Sequence, residues 1–166
     1  AIGLAGVMGG ASTEISPDTT TVLVEAAHFE PTTIAYTARR HRLGSEASRR
    51  FERGVDDALA PSAAELALAL IEQLGGGRRL DGVTDLDQRG PLPTITLDPA
   101  LPGRIAGVEY AATVVEDRLT DIGCRVEPSK GGFDVRPPSW RPDLAIPQDL
   151  VEEGVRLEGY SRLPST

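Results

Sequence analysis

Thr19 to Ala27 is rich in threonine and valine and predicts a strand, whose two-residue period puts Val22, Val24 and Ala26 on one face and Leu23, Glu25 and Ala27 on the other. Glu25 then stands as an acid on an otherwise apolar face. Upstream, Ala1 to Gly10 reads as an apolar strand peppered with glycine that runs into a Gly9-Gly10 turn. Downstream the period lengthens. Glu30-Pro31 predicts a helix reaching about His41, because proline in a first turn removes an N–H that has no helical partner anyway. Gly44 breaks it, and Ser45 to Arg53 predicts a second short helix closed by Gly54. A longer helix begins between Asp57 and Ser62 and stops at Gly75-Gly76-Gly77. Leu59, Ala63, Leu66, Ala67, Leu70 and Leu74 form its apolar stripe, and Ser62 and Glu65 have capping-box spacing.

Residues 78–93 lack periodicity, and Pro91-Leu92-Pro93 marks a boundary between a first unit, residues 1–90, and a second, residues 94–166. In the second, Thr94 to Leu97 predicts a short strand and Asp98 to Gly107 a compact helical turn. Ala111 to Ile122 predicts a helix with Val115, Leu119 and Ile122 on one face and Gly123 at its end. Cys124 to Glu127 and Phe133 to Arg136 flank Ser129-Lys130-Gly131-Gly132 as a hairpin, Pro137 to Pro142 is extended, and a last helix runs from Asp149 through Glu158 to Gly159. The fold class is α+β: a partial α/β unit followed by a small winged-helix-like one.

Composition narrows the class. The chain has 166 residues, 40% hydrophobic and 25% charged, the profile of a folded protein with room for one full domain or two small ones. The longest aliphatic run, Leu66 to Ile71, is too short for a bilayer, and Ala1 to Gly10 has no signal-peptide pattern, so no membrane partner is expected. A single cysteine, Cys124, excludes an internal disulfide and fits a reducing, cytoplasmic setting. No methionine opens the chain, and it stops abruptly after Pro164-Ser165-Thr166; both ends read as cuts through a longer protein. Net charge is −8, yet between Arg39 and Arg53 six arginines face only Glu46 and Glu52, so that window is +4 and the rest −12. Arg39, Arg40, Arg49 and Arg50 could meet nucleic-acid phosphates, or could pair with the chain's own carboxylates.

There is no dinucleotide, Walker, nucleophile-elbow or zincin motif, and His28 and His41 stand in no metal-ligand spacing. No general base is assigned. Two constellations remain. Glu25, the Gly9-Gly10 turn and the small residues around Ser45 and Ala47 could form a pocket recognising a hydroxyl on an apolar ligand, or Glu25 could pair with a nearby arginine. Asp149 lies one helical turn from Glu152 and Glu153, and with Asp143 these carboxylates could converge on magnesium, or they could simply complement the helix dipole.

Gly6-Val7-Met8-Gly9-Gly10, Val22 to Ala27, Thr37 to His41 and Ser45 to Asp56, then Pro138 to Asp143 and Asp149 to Glu153 through Gly159-Tyr160, resemble in order and spacing the bacterial phenylalanyl-tRNA synthetase beta subunit. The resemblance runs end to end. It implies a cytoplasmic α2β2 ligase that attaches phenylalanine to its tRNA using ATP, bound outside this chain, and Mg2+. The alpha subunit and phenylalanine tRNA are the implied partners, and this piece alone is implied to be inactive in aminoacylation. It further implies that residues 1–90 are the C-terminal part of the domain that hydrolyses mischarged tyrosyl-tRNA, with Glu25 bonding the tyrosine hydroxyl and Gly9, Ser45 and Ala47 lining the pocket. That pocket also uses residues upstream of Ala1, a histidine among them. Residues 94–166 would be the DNA-binding-like domain, with Asp143, Asp149, Glu152 and Glu153 as its magnesium set. The alternative is a non-enzymatic tRNA- or DNA-binding structural module.

Overall fold

The computed structural model describes residues 1–164. It divides into two compact units, residues 1–89 and 90–166.

The first unit opens with a ribbon of β1 (Gly3–Leu4) and β2 (Met8–Gly9), antiparallel with Gly3 opposite Gly9 and Leu4 opposite Met8. Gly6 turns between them at φ +66°, where a Cβ would strike Ile34 Cδ1 at 2.7 Å and Phe29 Cδ2 at 2.9 Å. Glycine is needed here for space as much as for conformation. Helices α1 (Pro31–His41) and α2 (Glu46–Arg53) pack against each other, and Val7, Ile34 and Ala38 form a small core backed by Leu4, Phe29, Leu43 and Phe51. The Phe29 and Phe51 rings meet edge to face, centroids 5.0 Å apart. α1 ends at Arg42, a non-glycine residue at φ +56°. Its N–H reaches Ala38 and Arg39 carbonyls, and Leu43 N–H bonds Ala38 O at 2.9 Å, which offsets the cost of the left-handed turn.

The start of α1 is charge-assisted. Glu30 accepts from Thr32 N–H at 2.9 Å and Thr33 N–H at 2.6 Å, and the bonds from Thr33 and Thr32 lower its pKa from 4.5 to about 2. A depressed acid stabilises the fold above its unfolded pKa and loses that contribution as pH falls through the folded one. Far-UV titration of the chain should therefore show α1 signal weakening as pH falls from about 4.5 to about 2, with Glu30→Gln flattening that part of the curve.

Two expectations are corrected in this unit. Residues 19–27 form no strand, and Leu23 is 94% exposed. A strand exists only by bonding to a neighbour, and no described strand lies beside this segment. Helix α3 (Ala60–Gly75) starts ahead of Ser62, with Pro61 in its first turn and no side-chain cap, so the Ser62–Glu65 capping box does not form. Glu65 instead receives a two-pronged bond from Arg79 at 2.6 and 2.7 Å, folding the chain back after the Gly76 turn. The predicted apolar stripe exists, yet no residue of α3 is buried.

The second unit is a three-stranded antiparallel sheet, order β3-β5-β4, with three helices packed on it. The elements run β3 (Ile95–Leu97), α4 (Leu101–Ala106), α5 (Ala112–Asp121), β4 (Arg125–Ser129), β5 (Gly132–Arg136) and α6 (Pro147–Glu158). Register places Leu97 opposite Phe133 and Ile95 opposite Val135, so alternate residues of β3 and β5 share one buried face. Leu97, Val135 and Leu119 are wholly buried there with Leu150 of α6 at 1% exposure. The two-residue loop Lys130-Gly131 joins β4 to β5. The last helix begins at Pro147 rather than Asp149, because proline occupies the first turn and Asp149 reaches back to cap it. Mixed α and β architecture agrees with the α+β expectation.

Candidate functional site

In the first unit, the α2 N-terminus is tied to the ribbon through one side chain. Ser45 Oγ donates to Val7 O at 2.6 Å and accepts from Ser48 N–H at 3.0 Å, while Ser48 Oγ donates to Ser45 O at 2.9 Å and accepts from Ser45 N–H at 3.0 Å. This reciprocal cap fixes the α2 entry beside the β1–β2 loop. Ser48 is buried to 2% exposure because its hydroxyl is satisfied twice over by backbone. Gly9 is exposed and a Cβ there meets nothing within 4 Å; Ala47 is exposed and Ser45 half-buried. Those three belong to one corner of the ribbon and the first turn of α2. Glu25 lies on the irregular segment 14–30 and is exposed.

The arginine window is partly neutralised from within. Arg39 bonds Glu52 at 2.7 Å and Arg50 bonds Glu46 at 3.2 Å, with Arg49 4.0 Å from the same Glu46. All three guanidiniums are two-thirds exposed or more, so water screens these pairs and each contributes at most about 1 kcal/mol. No ion pair involves Arg40 among the described residues. Two glutamates cannot balance six arginines, and the α1–α2 surface stays basic.

The four acids of the second unit do not come together. Asp149 Oδ2 accepts from Ala145 N–H at 2.8 Å and Ile146 N–H at 2.9 Å. Asp143 is gripped by Arg141, whose Nη2 lies 2.6 Å from Oδ2 and whose Nε lies 2.9 Å from Oδ1. The same Nη2 is 3.1 Å from Glu153 Oε1, and Arg156 donates to Glu153 Oε2 at 2.5 Å. Glu152 is exposed. Among the described residues no group of three His, Cys, Asp or Glu could hold a metal ion. Helical spacing does set three of the acids on one helix, but Asp149 turns back to cap while Glu153 turns to arginine. The residues present do not fit Mg2+ in this chain, because a guanidinium already stands between two of the acids. Arg141 keeps Asp143 below the usual carboxylate range, and Arg156, then Arg141, do the same for Glu153 against its partial burial.

Sequence reasoning missed one feature. An open apolar groove of about 300 Å3 lies between α4, α6 and the turn at Tyr160, lined by Ile105, Val151, Val155, Tyr160 and Leu163 with Glu152 at its edge. Val151 and Val155 at i, i+4 are a visible signal, but they read equally as ordinary core.

Residues 1–76 match the family model of the B3/4 domain, and residues 95–160 that of the tRNA synthetase B5 domain. The chain is 52% identical over 99% of its length to a protein of Streptomyces avermitilis described as phenylalanine-tRNA ligase beta subunit, covering 20% of it. Proteins of the same description from Thermobifida fusca and Bifidobacterium longum are each 48% identical over 99% of this chain, which covers 20% and 19% of them. The chain thus spans about a fifth of the length of these relatives.

Proposed function

Since the chain belongs to the family of phenylalanine-tRNA ligase beta subunits, we propose that it serves in a cytoplasmic α2β2 enzyme that joins phenylalanine to its tRNA with ATP and Mg2+, and that its first unit is one wall of the site hydrolysing mischarged tyrosyl-tRNA. In this reading Glu25 accepts the tyrosine hydroxyl, Gly9 and Ala47 keep the wall shallow, and Ser45 holds it in place. The observation that carries it is the Ser45–Val7 bond of 2.6 Å, which sets Gly9 and Ala47 on one corner. A carboxylate acceptor rejects phenylalanine because the acid would lose water without gaining a partner. The editing part is residues 1–90, and residues 94–166, with their helix–hairpin–helix order, form the winged-helix-like scaffold toward the alpha subunit. No helix among the described residues is long and apolar enough to cross a membrane. The test is tyrosyl-tRNA deacylation by the complete two-subunit enzyme with and without Glu25→Ala.

A second reading is favoured by the basic α1–α2 surface: a tRNA- or DNA-binding structural module. It predicts that the chain binds tRNA with an affinity that falls as salt rises, and that replacing Arg49 and Arg50 by alanine lowers the logarithmic salt slope by roughly 0.7–0.9 for each phosphate no longer neutralised. Equal slopes for both proteins in a filter-binding titration would reject this role for the two arginines.

A further inference from the structure

Arg141 stands between two acids of the second unit, Asp143 and Glu153. Its residue neighbours put it in the extended connection between β5 and α6, after Trp140, whose ring lies 3.0 Å from where a Cβ on Gly123 would stand. From there the guanidinium points at α6. One fork engages Asp143 through Nε and Nη2, and the same Nη2 reaches Glu153 of α6 at 3.1 Å. Arg141 is 22% exposed and Glu153 13%, so both charges are mostly withdrawn from water, whereas Asp143 at 59% is largely solvated. Burying Glu153 that far without a countercharge would be costly, and two arginines supply it: Arg156, 47% exposed, at 2.5 Å from Oε2 and Arg141, 22% exposed, at 3.1 Å from Oε1.

We propose that Arg141 is the resident cation of this carboxylate set, taking the place a divalent ion would take and fastening residues 137–146 onto α6. Two acids and two arginines form one linked group, and Asp149 stands outside it. Asp143 and Glu153 share one guanidinium, Glu153 adds Arg156, and Asp149 spends one oxygen on two backbone N–H groups. A divalent ion entering from solution must displace a planar fork that already satisfies both acids, and among the described residues no third ligand helps it do so. The arginine also does what a point charge cannot, since its separate N–H vectors address two carboxylates on different elements.

Thermal melting of the chain in Mg2+ tests the idea against a monovalent salt matched in ionic strength. The expected result is the same midpoint in both. Arg141→Met should lower the midpoint by roughly 5–10 °C, and Glu153→Gln placed in that background should return part of the loss, so that the two substitutions together cost less than their sum. If Arg141→Met does not fold, Arg141→Lys, which keeps the charge and loses the fork, should show an intermediate loss with the same coupling. A saturable, Mg2+-specific rise in the wild-type midpoint, or strictly additive losses, would overturn the proposal.

Discussion

In the complete two-subunit enzyme, Glu25→Ala is expected to slow hydrolysis of mischarged tyrosyl-tRNA by about 10- to 100-fold while phenylalanine charging is unchanged. A hydrogen bond to a charged acceptor contributes about 1.5–3 kcal/mol, and each 1.4 kcal/mol is a factor of ten. Glu25→Gln should fall between, because an amide oxygen still accepts but no longer carries charge. The effect depends on cover. In the chain by itself Glu25 is exposed on an irregular segment, where water would compete for the bond and reduce its selectivity to little. The bond becomes discriminating only if the rest of the enzyme encloses that segment. Unchanged deacylation by Glu25→Ala would remove the editing role from this residue and leave the family membership standing.

The largest expected loss of stability is at Gly132. This glycine leads from the Lys130-Gly131 loop into β5 at φ +122°, a conformation nearly closed to any residue with a Cβ. A Cβ there would sit 2.4 Å from Pro99 Cδ and 2.5 Å from Leu97 O, and the second of these is backbone of the paired strand β3. Flexible side chains cannot relieve that clash. Gly132→Ala should therefore cost about 3 kcal/mol or more, combining roughly 1–3 for the backbone conformation with a similar overpacking term. Relief requires β3 and β5 to separate, which exposes Leu97 and Phe133. Denaturant unfolding of the chain should show the second unit melting early. Gly131→Ala is the control, since its Cβ would meet only the Thr96 Cγ2 methyl at 3.2 Å; a loss equal to that of Gly132→Ala would refute the steric account.

Where local chemistry decides the outcome, the residues could be read in advance. α1 between Glu30-Pro31 and Arg42, α2 between Ser45 and Gly54, the Gly76 stop, Gly123 after α5 and the β4–β5 hairpin are each set by caps, proline or glycine acting within four residues along the chain. Such signals need no knowledge of the rest of the fold. The threonine- and valine-rich run of residues 19–27 is of another kind, because strand propensity cannot supply the neighbouring strand that would bond to it. The stripe on α3 fails similarly: amphipathic spacing states which side should be covered, and nothing among the described residues covers it.

The candidate sites divide along the same line. Local sequence determined that Ser45 would stand at a helix start, that Asp149, Glu152 and Glu153 would ride one helix, and that arginine would crowd α1 and α2; the long motif run determined the family. Tertiary structure alone decided which partner each side chain took. Ser45 found Val7, thirty-eight positions away, Arg39 found Glu52, thirteen away, and Arg141 drew Glu153 to itself from twelve away, dispersing an acidic set that spacing had gathered. Caps and turns close over a few covalent bonds, so their geometry is written into neighbouring residue types. A charge or hydroxyl chooses among all groups that folding brings within about 3 Å, and that choice is made only when the chain has packed.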